Sequence, residues 1–74
     1  MEPRVEYFSG ANVETSGVVI ISYGDRYFVL EDGKDLSEKT KMDIMKILRF
    51  GCNWESGPAT LPSQIVERIK KWVG

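Results

Sequence analysis

Two runs of the chain, 18–23 (VVIISY) and 26–30 (RYFVL), are rich in β-branched and aromatic residues, and only Gly24 and Asp25 separate them. Such runs joined by two residues with glycine first predict a β-hairpin closed by a type I′ or II′ turn. Pairing through that turn sets Tyr23 opposite Arg26, Ile21 opposite Phe28 and Val19 opposite Leu30 on one face, because side chains alternate along a strand. The other face then carries Val18, Ile20, Ser22, Tyr27, Val29 and Glu31. Residues 4–8 alternate weakly and run into Ser9, Gly10, Ala11 and Asn12, which predicts a third strand, with Pro3 suited to an edge position.

After residue 37 the apolar period changes. Ser37 is a good N-cap and Gly51 a good C′ residue, predicting a helix over about 38–50 with Ile44, Met45 and Leu48 inward and Ile47 and Phe50 to one side. Ile65, Val66, Ile69, Trp72 and Val73 fall on an arc of about 120° and predict a second helix over about 62–73, with Pro62 near its start. Residues 51–61, including Trp54, Gly57 and Pro58, connect the two. The expected architecture is a single α+β domain over 1–74, a small antiparallel β-meander of two or three strands over about 4–31 followed by two α-helices.

The composition, 42% apolar with 10 Lys plus Arg against 11 Asp plus Glu, argues for a folded domain rather than a disordered or polyanion-binding tail. A core this small rarely supplies more than roughly 3 to 5 kcal/mol. Residues 1–37 carry three cations and seven anions, whereas residues 38–74 carry seven cations and four anions, so charge is polarised along the chain. Residues 1–4 open no apolar segment and the longest apolar run is 18–21, so neither a signal peptide nor a membrane span is expected. Together with the single cysteine, Cys52, this points to a cytoplasmic location.

Catalysis is not expected. The chain has no histidine, which removes the commonest general base and transition-metal ligand. It contains no glycine-rich phosphate-binding fingerprint. Glu31, Asp32 and Asp35 surround Gly33 but lack the spacing of a calcium loop, and Cys52 has no neighbouring base to activate it. No cofactor and no metal is expected. Lys46, Arg49, Lys70 and Lys71 sit toward the ends of the two predicted helices, where the dipole favours cations.

Residues 41–51 (KMDIMKILRFG) followed by 57–70 (GPATLPSQIVERIK) resemble the first two helices of a winged helix-turn-helix domain, with Ile65, Val66 and Ile69 in the scaffold-helix apolar positions. The resemblance implies a DNA-binding regulator, incomplete because a recognition helix should follow and the sequence ends at Gly74. A second nucleic-acid reading takes Tyr7, Tyr23, Tyr27 and Phe28 as a stacking platform for a single strand, with lysines nearby.

The hairpin is apolar on both faces, and a sheet with helices on one side covers only one of them. Either the helices wrap both sides, or Val18, Ile20, Tyr27, Val29 and Trp54 form an exposed contact patch. The leading expectation is therefore a small non-enzymatic regulatory or inhibitory module that offers this patch or a sheet edge to a larger protein. Its size suits a modulator of viral or mobile-element type, with transcription machinery as one target. Homodimerisation would use the same surplus of apolar surface.

Overall fold

The computed structural model describes residues 2–9, 17–31, 35–50, 54–57 and 59–74. Strands β1 (Arg4–Ser9), β2 (Val18–Tyr23), β3 (Arg26–Glu31) and β4 (Asp35–Lys39) precede helix α1 (Lys41–Phe50), strand β5 (Trp54–Ser56) and helix α2 (Ser63–Val73). The fold is α+β with one antiparallel sheet and two helices, but the sheet has five strands, in the order β4-β3-β2-β1-β5, and the last strand lies between the helices. The central hairpin has the register set by its turn, with Tyr23 opposite Arg26, Ile21 opposite Phe28 and Val19 opposite Leu30. Gly24 has a φ of 65°, the left-handed conformation that both primed turns require at that position.

Two expectations are corrected by β4 and β5. Ser37 is not a helix cap: it pairs with Val29 inside β4. Leu36, buried opposite Leu30, holds residues 35–39 in the sheet, and a better cap follows. The Thr40 hydroxyl accepts the Asp43 N–H at 3.2 Å, while the Asp43 carboxylate accepts the Thr40 hydroxyl at 2.9 Å and its N–H at 3.3 Å. This is a capping box, and it starts α1 at Lys41. The expected connector after α1 contains β5, which pairs with β1, so β1 is an inner strand rather than an edge.

The topology dictates three layers. β4 and β5 are the opposite edges of the sheet, about 19 Å apart at four inter-strand spacings of about 4.8 Å. Ten-residue α1, about 15 Å long, carries most of that crossing over one face, where Ile44 packs on Ile20 and Val29. Helix α2 covers the other face, where Ile65 and Ile69 pack on Val5, Phe8, Val19, Ile21, Phe28, Leu30 and Leu36. Pro62 precedes α2, its carbonyl accepting the N–H groups of Ile65 and Val66.

Polar contacts lock α2 to the sheet. Arg26 grips Glu38 across the β3–β4 pair with two hydrogen bonds of 2.6 and 2.8 Å, and the Trp72 indole donates to the same carboxylate at 3.2 Å. The Trp72 ring meets Phe28 edge-on, with centroids 6.0 Å apart. Lys70 pairs with Glu2 at 2.8 Å. The Arg26 hydrogen bond holds Glu38 below the ordinary glutamate value of 4.5; Lys70 does the same for Glu2, and Thr40 holds Asp43 below the ordinary aspartate value of 3.8. A carboxylate depressed in the fold contributes stability in full above its unfolded value and loses it as pH falls through the lower folded value. Stability is therefore expected to decline as pH drops below 4.5, by a small amount because all three groups are solvated. Urea midpoints measured from neutral pH downward check this. Glu38→Gln should flatten part of the acid decline, and an unchanged acid slope would contradict the assignment to Glu38.

Candidate functional site

The face expected to offer a contact patch is covered. Ile20 and Val29 are 0% exposed beneath α1, and Val18, Tyr27 and Trp54 are half-buried against the same cluster. These five residues are brought together, as the alternation requires, but as a second core. They cannot offer an open sheet face while α1 is in place. Trp54 pairs with Ser9 on β1, and its indole nitrogen is buried with no hydrogen-bond partner among the described residues.

Covering that face turns other side chains of α1 outward. Ile44 is buried, and Ile47 and Leu48, three and four residues on, are half-buried against the sheet, the spacing of one helix face. Met45, read from the sequence as inward, therefore points away from the core and is 57% exposed; Met42, one turn earlier, is 70% exposed. The two methionines and the cations Lys46 and Arg49 line a shallow hollow of about 140 Å³.

Beside this ridge, between α1 and the sheet, lies a larger cleft of about 270 Å³. Ile20, Ile44 and Leu48 supply its apolar lining, Glu6, Tyr7 and Tyr27 its polar and aromatic lining, and the exposed Lys41 and Met45 complete it. A β-bulge creates this arrangement. Val5 pairs with Ile21 and Tyr7 with Ile20, leaving Glu6 as the extra residue. Strict alternation would send Glu6 and Tyr7 to opposite faces, whereas the bulge lets both line the cleft on the α1 side. The Glu6 carbonyl accepts the Gly57 N–H at 2.9 Å, and one oxygen of its carboxylate accepts the Ser22 hydroxyl at 2.6 Å.

Among the described residues neither of the two expected nucleic-acid geometries is assembled. Phe28 is wholly buried, and Tyr23 packs with it on the α2 side while Tyr7 and Tyr27 line the cleft on the α1 side, so the four aromatics form no common platform. Helices α1 and α2 pack on opposite faces of the sheet, which removes the helix pair that a winged helix-turn-helix implies. Cys52 and Asp32 lie outside the described residues. Among the described residues no group of three or more Cys, Asp and Glu side chains is placed to hold a metal ion, and no helix is long and apolar enough to cross a membrane.

Sequence reasoning missed Met42, Met45 and Glu6. For the methionines a signal existed: Ile44, Ile47 and Leu48 alone make a sufficient inward stripe, leaving Met45 outside it. For Glu6 there was none, since a bulge in a weakly alternating strand is fixed by its neighbours. Comparison with protein families, with curated proteins and with solved structures gives no match.

Proposed function

We propose that this protein is a small non-enzymatic interaction module that regulates or inhibits a larger protein, docking through the outer surface of α1. The observation that carries this reading is the exposure of Met42 and Met45 on one helix face. A single exposed apolar side chain needs no explanation, but two methionines one turn apart beside an apolar cleft form a continuous surface. Methionine adapts its shape to a partner and is enriched at such contacts. Lys41, Lys46 and Arg49 border it, with Asp43 the sole acidic residue of the helix. The dipole accounts for Arg49 in the last turn but not for Lys41 in the first. Charge complementarity thus favours a partner segment that is apolar and acidic, such as an amphipathic helix laid along α1.

Affinity capture from an extract of the source organism, with wild type, Met42→Glu, Met45→Glu and Lys71→Glu as baits, tests this reading. Both methionine variants are expected to lose the specific partner by at least about tenfold while changing stability by less than about 0.5 kcal/mol. Lys71→Glu, at an exposed position of α2, should capture as wild type does. A partner retained equally by all four baits would sink the assignment to α1.

A further inference from the structure

We infer that the cleft beside α1 is an anchor pocket for one arginine side chain of the docking partner. This rests on the reading that a protein segment lies along α1, and it names what that segment inserts. At about 270 Å³ the cleft falls below the roughly 300 to 1,000 Å³ of sites that enclose a drug-sized ligand, so it suits one long side chain rather than a whole small molecule.

Its lining is ordered for a side chain with an apolar stem and a planar cationic head. Leu48 and the edge of Ile44, over a floor closed by the buried Ile20, provide the surface on which a methylene stem loses water. Tyr7 and Tyr27 provide aromatic groups, which attract guanidinium more than ammonium because guanidinium is planar and weakly hydrated. Glu6 supplies the counter-charge. One of its oxygens is used by Ser22, and the other has no donor among the described residues. A half-buried carboxylate with a free oxygen gains most from a charged donor. Among the described residues neither Glu6 nor Lys41 belongs to an ion pair, so no described cation is in direct contact with the Glu6 carboxylate.

Two features show that the carboxylate is positioned rather than incidental. The bulge at Glu6 turns it to the cleft side together with Tyr7, and the backbone bond from Gly57 pins the Glu6 carbonyl. Lys41 acts the other way: exposed within the lining, it opposes an incoming cation, and with Lys46 and Arg49 it would meet acidic residues flanking the partner's arginine. The recognised element is therefore an arginine set among apolar and acidic neighbours.

The test uses the full chain and N-acetyl-arginine methylamide as probe, followed by amide and methyl NMR shifts. Saturable shifts at Glu6, Tyr7, Tyr27, Ile44 and Met45 are expected, and the norleucine and glutamate analogues should not reproduce them. Glu6→Gln keeps the acceptor for Ser22 but removes the charge, and should weaken arginine binding by at least about tenfold. Lys41→Gln, an exposed change that spares the fold, should tighten it by about two- to threefold, and Lys71→Gln should leave it unchanged. Shifts that are absent, that centre on the acidic residues of the α2 side, or that ignore both the Glu6 and Lys41 substitutions would overturn the anchor pocket. Such a result leaves the loss of capture by Met42→Glu and Met45→Glu as an independent measurement, so the failure of one reading is distinguishable from the failure of the other.

Discussion

Replacing Gly57 by alanine is expected to leave the protein largely unfolded. Gly57 lies just past β5, where its backbone presses against the bulged part of β1 and its N–H bonds the Glu6 carbonyl at 2.9 Å. A methyl group on its Cα would collide with the Val5 carbonyl oxygen and crowd the carbonyl carbon. The atoms it meets are backbone and the methyl is fixed by its own Cα, so no rotamer change relieves the clash. Relief requires β5 to withdraw from β1, undoing pairs that also hold Trp54 against Ser9. Overpacking typically costs about 1 to 3 kcal/mol, and more where the parts in contact cannot move aside, against a total of roughly 3 to 5 kcal/mol for a core of this size. Gly17→Ala is the control: its added methyl would meet only the Ser9 hydroxyl oxygen at 3.8 Å, and its melting temperature should stay near wild type. Circular dichroism melts of the two variants check the contrast, and a Gly57→Ala protein that melts like Gly17→Ala would show that β5 does not approach β1 so closely.

That close approach also marks where the sequence stopped being informative. The central hairpin was legible residue by residue, because Gly24–Asp25 admits few turns and the turn fixes the register of Ile21 with Phe28. Apolar character on both hairpin faces was legible too. β4 was not, since Asp35, Leu36, Ser37, Glu38 and Lys39 form a short polar strand whose single buried anchor, Leu36, becomes meaningful only against Leu30. β5 is three residues long, too short for any periodicity. Once both exist as opposite edges, α1 must cross a face of the sheet, and the choice between an open patch and a second core is settled by connectivity rather than by composition. The candidate site follows the same logic. Met45 looked inward on a helical wheel because its neighbours Ile44 and Leu48 are inward, and only the position of Ile20 and Val29 under the helix fixes which side of the stripe is wet. Sheet edges and bulges depend on long-range partners, so the place of Glu6 in the cleft lining follows from contacts that a single strand's sequence does not encode.

The second large effect concerns that second core. Ile20 and Val29 are as fully buried as Ile69, one of the two buried residues of α2. Truncating an isoleucine in such a setting removes its burial free energy and leaves a cavity, together costing about 2 to 5 kcal/mol. Ile20→Ala is therefore expected to destabilise the protein as severely as Ile69→Ala, although the two lie on opposite faces of the sheet. By contrast, Met45→Ala, on the exposed side of α1, should cost less than about 0.5 kcal/mol. Both sheet faces are core, which leaves the outer surface of α1 as the proposed place of contact with a partner. Urea unfolding of Ile20→Ala, Ile69→Ala and Met45→Ala at neutral pH tests it most directly. Matched large losses for the two isoleucines with a near-native midpoint for Met45→Ala is the expected result. A mild Ile20→Ala beside a severe Ile69→Ala would contradict it, returning Ile20, Val29 and Tyr27 to the open surface and leaving the methionine ridge without its basis.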